Sequence, residues 1–367
     1  MVQIRYLCLV KEVDYIIVGL GIAGITFCER LRLEGKSFIV FEPSLPSATK
    51  VAGGVVNPVV LKRFTPIWNL AQFHAEAYPF YIELSKHLQV NFLEKMLLQR
   101  VFNNVQEQND WLVASDKSNL SFFLSSELVK NNNPLIEAPF GFGNVNEVFK
   151  IDTTLLMDSF LENLERKEQL VGEKFDHVLL QIEEENANTS QLDGAPTIQY
   201  KNYKARSIVF SEGAAALHNP YFSVDCLIPK KGEYIIFKAP QLRLKSILKG
   251  SIFIIPLGND RFKAGATFDH AGQRPDITQE GKTQLVASLR KYIHCPFEVI
   301  DQIAGMRPTV KDRRPLLGSI KNKEILFFNG LGTRGLGMAP LLSKQLFDFA
   351  ENDIPLPDEV NIQRFIK

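Results

Sequence analysis

The sequence predicts a mixed α/β fold, with a Rossmann-type nucleotide-binding domain built from several chain segments and a second, mainly antiparallel β-sheet domain. A strand, a glycine-rich turn, a helix and a second strand follow one another at the N-terminus, which indicates the first domain. A strand–glycine–helix pattern recurs near the C-terminus, after a middle region richer in strand patterns. The nucleotide domain is therefore expected to be interrupted by the sheet domain.

Composition excludes several classes of protein. The chain has 367 residues, which suggests about two domains, and its 45% hydrophobic and 23% charged residues are ordinary for a globular protein. A formal net charge of +1 gives no overall field for nucleic acid or an acidic membrane. Four cysteines without CxxC spacing and six scattered histidines indicate neither a disulfide framework nor a metal site.

No apolar run reaches the roughly 18 residues of a membrane helix, so a cytoplasmic protein without a membrane span is predicted. The segment Met1–Glu12 has too short an apolar run for a signal peptide and is interpreted as a frayed leader.

The N-terminal unit follows from local patterns. Val13–Val18 is a short apolar, β-branched run, which is typical of a buried parallel strand. Ala23–Glu34 has apolar residues at helical spacing, and Gly35 marks its end. Ser37–Phe41 is a second buried strand. The pattern predicts a βαβ unit over Val13–Pro43.

The turn between the first strand and the helix reads G-x-G-x-x-G over Gly19–Gly24. Gly19 allows the tight turn, Gly21 lets the backbone approach a pyrophosphate, and Gly24 lets helix and strand pack closely. Glu42, followed by Pro43, ends the second strand, where an acidic residue can bind the two ribose hydroxyl groups of an adenosine. Its charge would repel a 2′-phosphate, which disfavours NADP, while both NAD and FAD fit this motif.

The rest of the chain is predicted from periodicity and turn residues. Strands are expected at Asn91–Ser115, Asp176–Glu184, Thr197–Phe210, Gly232–Phe237, Ser251–Pro256, Arg261–Thr267 and Ile325–Phe328, with a hairpin tip at Asn186–Pro196. Helices are expected at Thr153–Leu170, Ile277–Tyr292 and Ala339–Ala350. The predicted nucleotide domain comprises residues 13–85, 145–215 and 305–367, and the predicted substrate domain comprises residues 86–144 and 216–304.

Several further segments carry a resemblance that spans nearly the whole chain, from about Val13 to Ala350. They are Val51–Pro58, Ser207–Ala214, Pro229–Tyr234, Phe253–Pro256, Gly265–Thr267, Ala304–Thr309, Asp312–Gly318 and Gly330–Pro340. In their order and residue types they resemble the D-amino-acid oxidase/glycine oxidase superfamily of FAD-dependent oxidoreductases. Glu212 departs from the family's usual Ala-Ala-Gly or Ala-Thr-Gly, which leaves its contact open.

The resemblance implies FAD as the cofactor, with Val51–Pro58 along the flavin ring and Gly330–Pro340 as the closing flavin loop. No cysteine lies near Met306–Pro308, so the FAD is expected to be non-covalent. Motif and resemblance together imply cofactor contacts at Gly19, Gly21, Ile22, Ala23, Gly24, Glu42, Pro43, Ala52, Gly53, Gly54, Val55, Val178, Gly213, Arg307, Gly332, Thr333, Arg334, Gly335 and Leu336.

The resemblance also implies three catalytic candidates. Arg307 would bind a substrate carboxylate, since a guanidinium pairs with it through two hydrogen bonds; the alternative is an ion pair with Asp312. Lys263 resembles the lysine that assists oxygen reduction in the sarcosine-oxidase-like branch, and the alternative is a solvent-facing strand lysine. Phe253 would pack on the substrate or, alternatively, belong to the core.

The implied activity is oxidation of the C–N bond of a small amino acid or secondary amine by hydride transfer to flavin N5, with O2 or another electron acceptor. Gly330–Pro340 is nearest to the FAD domain of the bifunctional tRNA 5-methylaminomethyluridine-forming enzyme. One alternative is therefore removal of a carboxymethyl group from a wobble uridine, although the near-neutral charge makes nucleic acid an unfavoured partner. A 2-hydroxy-acid oxidase or dehydrogenase and a non-catalytic flavoprotein remain further alternatives.

Overall fold

The computed structural model describes residues 10–43, 47–182, 198–269, 274–321 and 323–366. Residues 1–9 of the expected leader lie outside these ranges. Its last two residues, Lys11 and Glu12, belong to the first strand. The expected hairpin tip Asn186–Pro196 lies outside them entirely. Within these ranges, no helix is long and apolar enough to cross a membrane.

The α-helices of the described ranges are α1 (Ile22–Leu33), α2 (Ala48–Val51), α3 (Leu70–Leu88), α4 (Val105–Ser115), α5 (Thr153–Arg166), α6 (Gln279–Leu289) and α7 (Gly335–Glu351). Short 3-10 helices are His177–Leu179, Gly213–His218 and Ile362–Phe365.

The strands are β1 (Lys11–Val18), β2 (Phe38–Phe41), β3 (Val55–Val56), β4 (Val59–Val60), β5 (Thr65–Pro66), β6 (Leu93–Lys95), β7 (Leu98–Val101), β8 (Leu124–Val129), β9 (Phe142–Val145), β10 (Phe149–Ile151), β11 (Leu170–Val171), β12 (Gln181–Ile182), β13 (Ile198–Tyr200), β14 (Tyr203–Phe210), β15 (Leu227–Lys238), β16 (Ile247–Lys249), β17 (Phe253–Gly258), β18 (Arg261–Gly265), β19 (Glu298–Val310), β20 (Leu316–Ser319) and β21 (Ile325–Asn329).

The first sheet is the predicted Rossmann-like sheet. Its order is β11-β2-β1-β14-β13-β12, with β21 added beside β14 and β20 beside β21. Strands β2, β1, β14 and β21 run parallel, so their carboxyl ends meet at one edge. Helices α1 and α7 cover one face, where Ile17 and Val209 join their apolar side chains. Ile16 and Ile208 belong to a separate apolar cluster on the other face. The predicted βαβ unit is confirmed.

The second sheet is the predicted, mainly antiparallel one. Its order is β19-β15-β18-β17-β16-β7-β9-β8, and only the β16–β7 pair is parallel among the described pairs. Ile235, Phe237 and Leu285 of α6 share one apolar cluster, so α6 covers one face. The opposite face carries Tyr234, Phe253 and Lys263, because cross-strand partners and alternate residues share a face. We refer to it as the site face.

Strand β19 runs through the predicted domain boundary between residues 304 and 305 and pairs with β15 along its length. Residues 305–310 therefore lie in the second sheet. The division into domains itself stays a prediction.

Part of the predicted strand region Asn91–Ser115 is wrong. Strands β6 and β7 occupy its first half, but α4 occupies the second. The side chain of Asn104 accepts a hydrogen bond from the backbone N–H of Glu107, which caps the helix at its start. An Asn followed three residues later by Glu is a capping signal, and it should have outweighed the apparent alternation.

Helix α3 was not predicted. Its buried Phe73, Ala77, Tyr81, Leu84 and Leu88 have helical spacing, but Pro79 interrupts the sequence as a helix breaker would. Packing against α7 offsets the lost hydrogen bond, and the hydroxyl of Tyr81 donates 2.7 Å to the carbonyl of Leu336.

Two further boundaries differ from the prediction. Of the expected strand Asp176–Glu184, His177–Leu179 form a 3-10 turn and only Gln181–Ile182 form a strand, β12. The last two residues of that expected strand lie outside the described ranges. The Asp176 side chain accepts from the N–H of Val178 and thereby favours the turn over a strand. Helix α7 begins at Gly335 rather than Ala339, so part of the expected glycine turn is the helix's first turn.

Candidate active site

The glycine-rich turn is built by close backbone packing. Gly19 has φ +94°, a value that favours glycine. A Cβ atom on Gly24 would lie 2.2 Å from the carbonyl oxygen of Gly19, so helix and strand can approach only without a side chain there. At Gly21 the nearest atom to such a Cβ is the Thr49 hydroxyl at 3.5 Å, which is ordinary contact. The protein itself therefore requires glycine at residues 19 and 24 but not at residue 21.

Two helix N-termini meet beside this turn. In α1 the first-turn N–H groups of Ala23 and Gly24 precede the first intrahelical bond, which Ile25 donates to Gly21. A Cβ on Gly335, the first residue of α7, would lie 3.1 Å from Cγ2 of Ile22. Both helices thus direct their positive ends toward one place, which suits a phosphate group or another anion.

Glu42 lies at the carboxyl end of β2, next to the turn. Its Oε2 accepts a 2.6 Å hydrogen bond from the backbone N–H of Leu20. Burial raises the pKa of Glu42 to about 7, against the opposing effect of the Leu20 N–H. Glu42 thus lies beside the glycine turn at the end of β2. Its contact with a ribose stays a prediction.

Glu212 has a contact that the sequence left open. Its Oε1 lies 3.0 Å from Nε2 of His177, and its Oε2 accepts 2.7 Å from the Asn219 amide. The carboxylate therefore joins the end of β14 to the 3-10 turn that carries Val178, whose side chain is 88% exposed. Gly213 follows with φ +58°, and its carbonyl accepts 2.9 Å from the side chain of Asn329.

The segment Ala52–Val55, which we call the small-residue loop, packs against the site face and against β10. A Cβ on Gly53 would lie 2.8 Å from Cδ1 of Ile255 on the site face. Gly54 has φ +75°, and a Cβ there would lie 2.1 Å from the carbonyl oxygen of Ile151. Packing within the protein therefore requires glycine at residue 54, whereas at residue 53 a Cβ would displace only the end of the Ile255 side chain. Ala52 precedes these glycines, and Val55 begins β3 after them.

The predicted closing loop is attached to the segment that follows the small-residue loop. Arg334 is largely buried, which lowers its pKa, and it donates to the carbonyls of Asn57 and Val59 at 3.3 and 3.4 Å. Gly332 donates to the carbonyl of Pro308 at 2.9 Å, and Thr333 is exposed. Arg334 thus fastens the start of α7 to residues 57–59.

Lys263 is buried on the site face, with 8% of its surface exposed. Its Nζ donates 2.8 Å to the carbonyl oxygen of Ala52 and lies 5.2 Å from the centre of the Tyr234 ring. Burial lowers the pKa of Lys263 to about 8, while Asp152 acts in the opposite direction. The solvent-facing alternative is therefore wrong.

Arg307 projects from β19 on the same face. Its Nη1 donates to the carbonyls of Lys231 and Thr267, both at 3.4 Å, and its Cζ lies 4.7 Å from the centre of the Phe268 ring. The ion pairs among the described residues do not include Arg307. Asp312, the alternative partner, is instead bound by Arg364 at 2.8 Å. The predicted alternative of an Arg307–Asp312 pair is wrong.

Phe253 is half-buried on the site face, and Nζ of Lys249 lies 4.8 Å from its ring centre. It also packs at the margin of the apolar cluster around Trp111, so it combines a core contact with a partly open ring. Tyr234 and Phe268 were missed. Both lie in or next to segments that carried the resemblance, and the strand alternation with Lys263 and Gly265 could have identified Tyr234.

The residues present fit a dinucleotide such as FAD. The glycine turn leaves room at Gly21, the N-termini of α1 and α7 meet beside it, and the Glu42 carboxylate is bound to the Leu20 N–H of the same turn. The sequence profile of the family described as "FAD dependent oxidoreductase" matches residues 14–348. The chain belongs to this family. FAD is therefore its cofactor, and the chain is an FAD-dependent oxidoreductase.

Solved structures share the fold over nearly the full chain. Glycine oxidase from Geobacillus kaustophilus superposes with a TM-score of 0.74 at 16% identity, covering 95% of this chain and 97% of that one. Iminodiacetate oxidase from a Chelativorans species gives 0.72 at 18% identity, covering 96% and 98%. At these identities the likeness establishes a shared fold.

A curated relative matches a smaller part. The tRNA 5-methylaminomethyl-2-thiouridine biosynthesis bifunctional protein of Marinobacter nauticus is 26% identical over 136 residues, which is 33% of this chain and 22% of that protein. The chain therefore matches about a fifth of that relative's length.

Proposed function

We propose that this oxidoreductase oxidises the C–N bond of a small amino acid or secondary amine that carries a carboxylate. The proposal rests on the contacts of the Arg307 guanidinium. Its guanidinium is held by two backbone carbonyls and a ring rather than by a described carboxylate. Since a guanidinium binds a carboxylate through two parallel hydrogen bonds, Arg307 is suited to orient an anionic substrate on the site face.

The other side chains of the site face have complementary tasks in this proposal. Bound FAD supplies the electron acceptor for the oxidation. Phe253 and Phe268 offer apolar surfaces that exclude water and limit the substrate's position. Lys263 places a buried positive charge beside the small-residue loop, where it favours negative charge that develops during reaction with oxygen.

The test is an anaerobic titration of the yellow protein with a panel of amino acids, secondary amines and 2-hydroxy acids. Loss of the flavin absorbance with an amine, and release of the matching amine or ammonia, is expected. Bleaching only by 2-hydroxy acids would overturn the C–N assignment, and bleaching by none would favour a non-catalytic flavoprotein.

The role of Arg307 is tested in parallel. Arg307→Ala should raise KM for an acidic substrate by about 100-fold, since a hydrogen-bonded charge pair is lost. Asp312→Asn is the matched control, because Asp312 pairs with Arg364 and not with Arg307. An unchanged KM in Arg307→Ala would remove the residue from the proposal.

A second candidate is oxidation of a modified tRNA base. Lys62 and Arg63 are exposed in the turn between β4 and β5, and Arg313 is exposed after β19. Arg314 lies with its Cζ 4.6 Å from the centre of the Trp68 ring. Ion pairs within the described ranges include none of these four cations. Arg314 beside an aromatic ring and three exposed cations nearby in sequence favour a phosphate-bearing ligand, as does the match to the tRNA-modifying relative.

This candidate is tested by tRNA binding at several salt concentrations. A dissociation constant that rises steeply with salt and weakens in the Lys62→Ala/Arg63→Ala variant would favour tRNA. Binding too weak to measure at low salt would remove it and leave the small-molecule substrate.

A further inference from the structure

Beneath Arg307, on the opposite face of the sheet, lies a buried ion pair. Nζ of Lys231 is 2.9 Å from Oε1 of Glu233, and the side chains are only 4% and 2% exposed. Glu233 also accepts from the N–H and hydroxyl of Thr278, at 2.9 and 2.7 Å, and from the Gln302 amide at 2.6 Å. Charge this deeply buried is tolerated because each carboxylate oxygen has at least two donors.

The network holds Glu233 in its charged form. Burial acts to raise the pKa of Glu233, but the hydrogen bonds from Thr278, Lys231 and Gln302 outweigh it, so the pKa lies below its ordinary value.

Both carbonyls that hold Arg307 belong to residues of this network. The first is the carbonyl of Lys231, whose side chain binds Glu233. The second is the carbonyl of Thr267, whose hydroxyl accepts 2.9 Å from the backbone N–H of Glu233. The backbone N–H of Thr267 in turn donates 3.1 Å to the carbonyl of Glu233. The backbone of Glu233 thus ties Thr267, just after β18, to β15. Its side chain fastens the same stretch of β15 to Lys231, Thr278 and Gln302.

Gly232 links the two faces. Gly232 stands between Lys231 and Glu233 in β15, and because alternate strand residues face opposite sides of a sheet, it faces the site. A Cβ on Gly232 would lie 2.0 Å from Nη2 of Arg307. The guanidinium therefore rests directly on the backbone of the residue between the two charges. A displacement of β15 would therefore displace the backbone on which the Arg307 guanidinium rests.

We propose that the Lys231–Glu233 pair is a positioning element that sets the place of the Arg307 guanidinium for a substrate carboxylate. It rests on the proposed function, in which Arg307 binds that carboxylate. The pair touches neither substrate nor cofactor, and it acts through the carbonyls of Lys231 and Thr267.

The experiment measures ligand binding in the FAD-loaded protein. Benzoate and its uncharged analogue benzamide are titrated while the absorbance of the bound flavin is followed. Glu233→Gln should weaken benzoate binding by about tenfold, because the guanidinium loses its fixed position, and should leave benzamide binding within about twofold. Lys231→Arg, which keeps the charge, should retain most of the benzoate affinity.

Glu29→Gln is the matched control. The Glu29 side chain in α1 is equally buried, at 1% exposure, and its Oε1 lies 2.7 Å from Nη2 of Arg32 in the same helix. It should lower thermal stability without changing benzoate binding. If Glu233→Gln does not fold, Gln302→Leu removes one hydrogen bond to the carboxylate, keeps the ion pair, and should weaken benzoate about threefold.

The outcomes separate the two proposals. If Arg307→Ala weakens benzoate and Glu233→Gln does not, the positioning role is overturned while the proposed function stands. Equal losses for benzoate and benzamide in Glu233→Gln would also overturn it, since they would indicate general loosening of the site. If Arg307→Ala leaves benzoate binding unchanged, the proposed function fails first.

Discussion

The ammonium group of Lys263 donates a 2.8 Å hydrogen bond to the carbonyl oxygen of Ala52, and so joins the site face to the small-residue loop. Replacement by Met should slow the reaction of the reduced enzyme with oxygen by at least about tenfold, because a buried cation stabilises developing negative charge. Stopped-flow reoxidation measures this. Lys249→Met is the control, since Lys249 is a half-buried lysine of the second sheet whose pKa desolvation also lowers to about 8.

The same rate should depend on pH. Burial lowers the pKa of Lys263 to about 8, so the cation is present below that pH and is lost above it. The oxygen rate constant is expected to fall as pH rises from 7 to 9, and Lys263→Met should flatten the profile. A wild-type rate constant that is level over this range would contradict the assignment.

Glu42 should make FAD binding pH-dependent. Burial raises the pKa of Glu42 to about 7, so its carboxylate, the better acceptor for ribose hydroxyls, predominates above pH 7. FAD affinity of the apoprotein, measured by quenching of flavin fluorescence, should therefore decline between pH 8 and pH 6. Glu42→Gln should bind FAD about tenfold more weakly and lose the pH dependence.

Gly21→Ala separates folding from cofactor binding. Its new Cβ would meet only the Thr49 hydroxyl at 3.5 Å, so the apoprotein should fold with an unchanged Tm. FAD affinity should fall by more than about tenfold, because the methyl group occupies the approach of the pyrophosphate. Gly172→Ala, whose Cβ would meet nothing within 4 Å, is the control. If the Gly21→Ala protein stays yellow through dialysis, the assigned pyrophosphate position is wrong.

Glu212 should act on FAD affinity through the 3-10 turn. Removing its carboxylate in Glu212→Ala breaks the contacts with His177 and Asn219, which hold the segment that carries Val178. We expect FAD binding about threefold to tenfold weaker with little change in KM for the substrate. Isothermal titration of apoprotein with FAD measures the affinity. An increase in KM without weaker FAD binding would contradict a role of Glu212 at the cofactor.

The sequence was most informative where structure is local. The βαβ unit and its glycine turn follow from residues within about 30 positions of one another, as such units do. Helix α4 was missed although its cap, Asn104 with Glu107, was also local, because apparent alternation was given more weight. Helix α3 was not predicted. Pro79 counts against a helix, and packing against distant elements, mainly α7, offsets it.

The site was harder to predict because its contacts join distant segments. Lys263 was identified only through a family resemblance, since the Ala52 carbonyl that receives its hydrogen bond lies 211 positions away. The carbonyls that support Arg307 are 76 and 40 positions away, and no periodicity indicates them. Strand alternation could have identified Tyr234, and Glu212 stood out only as a departure from the family pattern. The contacts of Glu212 and Phe268 follow only from the packed structure.

The convergence of α1 and α7 at Ile22 and Gly335 has a consequence for biosynthesis. The ribosome delivers the glycine turn first, yet β1 acquires its second neighbour only when β14 emerges, and α7 is made almost last. Until then a nascent chain has only the α1 N-terminus of the two that suit a phosphate group, and one edge of β1 is unpaired. The two helix N-termini can therefore meet only after α7 has been made, late in translation or after release.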